Sequence, residues 1–181
     1  MKKNSSKKKT IRRFNQLFSN RLIIISAIVV ILLSLFFLIH FTISNPIIRT
    51  KGIKIYYRTY TKEKGWTRWS QNGQVNGNKY PIRKIQIKVK SNYVGNVFYN
   101  TRSNKKWMIN DVSSGKTSGN SKYPIDTIRV MLSDTLYKKY ELRYRIKYGE
   151  QWTEWYRNYY KLRSNEPIEN IQIEVIEKKV N

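Results

Sequence analysis

Two tryptophan pairs share one spacing, Trp66-Thr67-Arg68-Trp69 and Trp152-Thr153-Glu154-Trp155. In a strand, positions three apart point to opposite faces, so one tryptophan of each pair can enter a core while the other faces out. A single tryptophan, Trp107, stands between the pairs, and its distances to a tyrosine before it and a proline after it match those of Trp66 and Trp152. Trp66, Trp107 and Trp152, with Tyr57, Tyr99 and Tyr144, are therefore expected to form a structural core. Trp69 and Trp155 are the freer pair, expected as exposed stacking platforms, because a flat indole accepts the C–H face of a sugar and offers an N–H. Around them Arg58, Arg68 and Arg145, with Lys88 and Lys90, occupy polar strand positions. A basic stripe of that kind complements the phosphates of teichoic acid or the carboxylates of acidic glycans. Nucleic acid would meet the same aromatic and basic pattern favourably, but the export expected below argues against it.

Catalysis has little to work with. The chain of 181 residues holds no cysteine and one histidine, His40. That removes thiol chemistry, disulfides and Cys/His zinc sites, and leaves no histidine free for a Ser-His-Asp triad. Lys and Arg number 36 against 11 Asp and Glu, a formal charge of +25. The few acids are scattered, and none holds an equivalent position in all three repeats described below. A glycosidase needs two carboxylates about 5–10 Å apart across a cleft, and a calcium loop needs spaced acids. Neither pattern is present, so no enzyme activity, metal or cofactor is expected.

The elements that must position these residues come from an internal repeat. Pro81, Pro124 and Pro167 lie 43 residues apart, and each opens the same pattern: Pro81-Ile82-x-x-Ile85-Gln86-Ile87-x-Val89, Pro124-Ile125-x-x-Ile128-Arg129-Val130-x-Leu132, and Pro167-Ile168-x-x-Ile171-Gln172-Ile173-x-Val175. Apolar and polar residues alternate in these segments and around Tyr57, Tyr99 and Tyr144, the mark of strands buried on one face. Asn72-Gly73, Asn76-Gly77, Ser114-Gly115 and Ser118-Gly119 punctuate the interval. Each unit thus reads as about three strands, with repeats at about 51–91, 92–134 and 135–181 and no helical period after residue 45. One such sheet cannot cover its own apolar face, but three around a pseudo-threefold axis can share a core. The expected fold is all-β, β-prism-like, with a β-trefoil as the alternative.

Ahead of the repeats, residues 1–21 carry eight Lys and Arg and no acid, and residues 22–44 contain no Lys, Arg, Asp or Glu. As one helix, 22–44 would extend about 34 Å against a hydrocarbon core of roughly 30 Å. A transmembrane helix over 22–44 is the expectation, with a basic cytoplasmic segment over 1–21, a linker over 45–50 and the β domain over 51–181. The basic leader orients it N-in/C-out as a single-pass protein of the cell membrane with its C-terminal domain extracellular. His40 then lies near the outer end, where a neutral imidazole reaches the headgroups.

The first unit also carries a resemblance. Tyr57-Arg58, Gly65-Trp66-Thr67-Arg68-Trp69, Asn72-Gly73, Gly77 and the closing Ile82-to-Val89 strand resemble the clostridial hydrophobic W repeat. The second unit departs with Lys106-Trp107 and no second tryptophan. The third departs with Gln151-Trp152, and has Asn158-Tyr159 and Ser164-Asn165 where the glycines stand in the others. The resemblance implies an extracellular protein of a low-GC Gram-positive bacterium whose repeats bind surface polymers or proteins. Together these observations lead to a module that recognises an envelope glycan or teichoic acid. The alternative is an accessory subunit that docks a protein of a surface, secretion or immunity system.

Overall fold

The computed structural model describes residues 24–36, 50–164 and 166–178. The chain falls into two units, Met1–Ser44 and Asn45–Asn181. In the first, the described residues, 24–36, are helical and are labelled α1. This corrects the expected membrane-spanning helix over 22–44: among the described residues no helix is long and apolar enough to cross a membrane. The basic segment 1–21, residues 22–23 and 37–44, His40 and residues 45–49 of the linker lie outside the described residues.

The second unit is mostly β. The first repeat contributes β1 (Ile53–Thr61), β2 (Gly65–Trp66), β3 (Ser70–Gln71), β4 (Val75–Gly77) and β5 (Ile82–Ser91). The second contributes β6 (Val97–Ser103), β7 (Lys106–Trp107), β8 (Val112–Ser113), β9 (Thr117–Gly119) and β10 (Ile125–Leu132). The third contributes β11 (Tyr140–Tyr148), β12 (Gln151–Trp152), β13 (Tyr156–Arg157), β14 (Leu162–Arg163) and β15 (Asn170–Glu177). Each repeat therefore has five strands, where the sequence shows about three. The extra ones are two or three residues long, too short to display a period. A six-residue helix, α2 (Asp134–Lys139), also corrects the expectation of no helix after residue 45; it tucks Leu136 into the core between β10 and β11.

Three antiparallel sheets share one plan. Two long strands pair along their length (β1 with β5, β6 with β10, β11 with β15), and the two short strands that follow the first long strand line its other edge. The remaining short strand leaves its own repeat and completes a neighbouring sheet. Strand β9 pairs with β5, β14 pairs with β10, and β4 pairs with β15. The exchange is cyclic, so the first repeat closes the sheet of the third.

Alternation along the long strands explains the core. Ile53, Ile55 and Tyr57 on β1 and Ile85 and Ile87 on β5 are buried, as are Tyr144, Ile146, Ile171 and Ile173 in the third sheet. Three of the core tyrosines, Tyr57, Tyr99 and Tyr144, spend their hydroxyls on the junctions between repeats. Tyr57 accepts from the Ile173 N–H (3.2 Å), Tyr99 from the Ile87 N–H (3.0 Å) and Tyr144 from the Val130 N–H (3.3 Å). The same hydroxyls donate to the carbonyls of Gln74, Lys116 and Tyr160. One turn N–H then closes each partner's carbonyl: Gly73 to Ile173 (2.8 Å), Gly115 to Ile87 (2.7 Å) and Tyr159 to Val130 (3.0 Å). Asn72, Ser114 and Asn158 accept the next N–H along, from Val175, Val89 and Leu132. These backbone groups, which the short exchanged strand fails to reach, are thus satisfied by a side chain or a turn, as burial demands.

Candidate functional site

The expectation that only one tryptophan of each pair faces outward is corrected by a β-bulge. Trp66 pairs with Tyr60, whereas Ser70 pairs with Tyr57, so the edge strand gains one residue between them. An extra residue inverts the alternation. Thr67 holds the bulge: its N–H donates to the Thr59 carbonyl (2.8 Å) while its hydroxyl accepts the Thr59 N–H (3.0 Å). Thr153 does the same with Ile146 at 2.9 and 3.2 Å. Both members of each pair therefore lie on the outer face with the arginine.

No tryptophan belongs to the buried core. Trp66, Trp107 and Trp152, expected there, are half-buried on the outside, while Tyr57, Tyr99 and Tyr144 are inside with no exposed surface. The indoles instead hold cations. The Arg58 guanidinium lies 4.7 Å from the ring centres of both Trp66 and Trp69. Arg145 repeats this at 4.8 Å from Trp152 and 4.7 Å from Trp155. Lys88 stands 3.9 Å over Trp69, and Arg143 is 4.9 Å from Trp155. Trp69 and Trp155, expected as bare platforms, thus share their rings with protein cations.

Each held arginine has a glutamine directly opposite on the neighbouring long strand, and its Nε donates to that side chain: Arg58 to Gln86 and Arg145 to Gln172, both at 2.8 Å. The glutamines are fixed from behind, Gln86 on the Thr117 hydroxyl (2.8 Å) and Gln172 on the Gly73 carbonyl (2.5 Å). Among the described residues neither arginine has a carboxylate partner, whereas Arg102, Arg129 and Arg143 pair with Asp126, Asp111 and Glu174 at 2.5–2.6 Å. The terminal nitrogens of Arg58 and Arg145 carry no protein hydrogen bond among the described residues. The outer face of the first sheet adds Lys54, Lys84, Lys88 and Lys90 and no acid; that of the third includes Glu141 and Glu174. Arg68 is exposed and touches neither ring.

The second repeat is built differently, a difference missed in the sequence. Its arginine has crossed to the other long strand: Asn100 stands where Arg58 and Arg145 stand, and Arg129 stands opposite. One further residue between Trp107 and Val112 brings Asp111 to the register of Trp69. Arg129 is then 2.5 Å from Asp111, 5.6 Å from the Trp107 ring centre and 5.4 Å from that of Tyr159. A cavity of about 470 Å³ opens here, lined by Asn100, Trp107, Ile109, Asp111, Arg129 and Lys161 among others. The exchange was visible in the repeat alignment, as Gln86/Arg129/Gln172 against Arg58/Asn100/Arg145.

Burial raises the phenol pKa of Tyr57, Tyr99 and Tyr144, that of Tyr99 to about 12, so at neutral pH they are hydroxyl donors and not charges. No group of three or more metal-ligating side chains occurs among the described residues. Compared with known proteins, the chain matches no protein-family model, no curated protein and no solved structure.

Proposed function

We propose that the protein is a non-catalytic binding module for an anionic polymer of the cell envelope, a teichoic acid or an acidic glycan. The observation that carries this is the twice-built site in which two indoles and a glutamine fix an arginine while leaving its terminal edge without a carboxylate. A guanidinium edge matches a phosphate or carboxylate bidentately. Its ring contacts and its Nε bond set its direction in advance, so less side-chain freedom is lost on binding. Arg102, Arg129 and Arg143, on the long strands as well, are each neutralised by an acid, so an arginine without one at two equivalent positions favours a partner that brings the negative charge. Two sites on one rigid body favour a repeating polymer, since the second contact forms at high effective concentration. Mixed indole and guanidinium surface also fits a charged polymer better than the docking of an apolar protein face. That weighs against the accessory-subunit reading.

The test is titration of the full chain with poly(glycerol phosphate), with neutral dextran alongside. The affinity for the polyanion is expected to fall steeply between 50 and 300 mM salt. Arg58→Gln with Arg145→Gln should weaken it tenfold or more, and Arg58→Lys with Arg145→Lys should recover only part, because lysine keeps the charge and loses the fork. Unchanged affinity in the glutamine pair would refute the proposal.

A further inference from the structure

The second repeat has given up the arginine site, and what stands in its place has the marks of a different one. Two polar atoms beside the cavity have no hydrogen-bond partner among the described residues although both are buried: Asn100 Oδ1 and Arg129 Nε. The orientation of the Asn100 amide is fixed, since its nitrogen donates to the Met108 carbonyl (3.2 Å) and to Asp111 Oδ1 (3.0 Å). Its oxygen therefore lacks a donor, and Arg129 Nε lacks the acceptor that glutamine supplies to Arg58 and Arg145. Unpaired buried polar groups are rare and costly, and they call for a partner.

The surroundings point the same way. Residue 159 occupies the turn position held by Gly73 and Gly115, and all three have left-handed φ: +81°, +81° and, for Tyr159, +74°. A tyrosine there carries backbone strain that glycine avoids. What the strain secures is a ring 5.4 Å from the Arg129 guanidinium. Ile109, in the lengthened loop, is 97% exposed and packs on nothing that would explain it.

We propose that this cavity, at the boundary of the second and third repeats, is a subsite for a neutral pyranose sugar. Vicinal hydroxyls supply both missing partners at once, since each hydroxyl donates and accepts: one donates to Asn100, its neighbour accepts from Arg129. Asp111 takes a further hydroxyl proton, and the Trp107 ring and Ile109 meet the apolar C–H face. Because the two unpaired atoms lie beneath the surface, residues 108–110 shift as the sugar enters. The Arg129–Asp111 pair cancels its own charge and leaves Lys161 as the one further cation of the lining, so this site suits an uncharged ring better than the other two, which suit an anion. The inference stands whether or not the polyanion reading does.

The experiment uses the full chain with methyl α-pyranosides of glucose, galactose and mannose and with N-acetylglucosamine, each at up to 50 mM. Saturation transfer and tryptophan fluorescence report binding. At least one sugar is expected to bind in the millimolar range. Asp111→Asn and Tyr159→Gly should each weaken it at least fivefold, while Arg58→Gln with Arg145→Gln leaves it within twofold. Tyr159→Gly restores the residue of the sister turns, so lost binding in that variant is not unfolding. Binding by none of the sugars, or binding lost in the arginine pair and kept in Asp111→Asn and Tyr159→Gly, would overturn the proposal.

Discussion

Replacing Tyr57 by phenylalanine removes one oxygen from the junction that closes the ring. The benzene ring still fills its place, so no cavity term enters. What changes is that the Ile173 N–H, on a residue with no exposed surface, loses its acceptor, and the Gln74 carbonyl loses a donor. Leaving a buried donor unsatisfied costs about 1–3 kcal/mol. Gln74 is only half-buried and can turn to water, so its share is small. We expect a loss of about 2 kcal/mol, read as a lower urea midpoint with unchanged slope. For a unit of this size that corresponds to a fall in Tm of roughly 8 °C, at about 4 °C per kcal/mol. Tyr99→Phe and Tyr144→Phe should cost about as much, because each hydroxyl holds the same two groups. Tyr80→Phe, exposed, is the control and should shift the midpoint by less than about 0.5 kcal/mol, the usual range for surface changes. If the three core variants behave like Tyr80→Phe, the hydroxyl bonds do not hold the repeats together and the account of the closed ring is wrong.

Two further outcomes follow from the same packing. The phenols have raised pKa values in the folded chain, so below about pH 10 both states are protonated and their contribution to stability is complete; above it the unfolded tyrosines ionise first and stability falls. The urea midpoint should be flat from pH 7 to 9 and drop from pH 10 to 12, by up to about 1.4 kcal/mol per pH unit per tyrosine, and the triple phenylalanine variant should lose most of that slope. Gly77→Ala should destabilise more than Gly65→Ala in the same melt: both have positive φ, but a methyl group at 77 would run into the backbone of Glu169 and Asn170, where β4 crosses to the third sheet, while at 65 it meets nothing. We expect about 1–2 kcal/mol at 65 from the backbone conformation and more at 77, and equal costs would mean that the strand exchange is looser than described.

What could be read in the sequence was whatever repeats at the scale of one residue type per position. The proline-opened strands, the three tyrosines and the Asn-Gly and Ser-Gly turns all show themselves through spacing, and each sits in a strand or turn. The bulge does not show, because Trp-x-x-Trp has the same spelling with or without the extra residue that turns both indoles outward. It takes the Thr67 hydrogen bonds to reveal it. Nor can a three-residue strand such as β4 announce that it belongs to a sheet built mainly from residues a hundred positions away. Helix α2 is a single insertion before the third repeat, with Leu136 as its one buried residue, and offers no period to detect.

The three repeats agree in some residues and differ in others, and the division separates what joins the sheets from what their outer faces present. The tyrosine hydroxyl, the turn N–H and the Asn or Ser acceptor recur at all three junctions, even where Tyr159 must adopt the backbone conformation of a glycine to supply its N–H. The arginine held by paired indoles recurs only twice. If that arrangement were what keeps the sheets folded, the second repeat, with Asn100, Asp111 and one indole in its place, would lack a fold, yet its long strands pair in the same way as the others. The outer face is therefore free to vary while the junctions are not. In the first and third repeats it presents an arginine with no acid, and in the second a neutralised one beside a cavity. A scaffold that repeats its fastenings but not its faces can meet chemically different groups along one polymer.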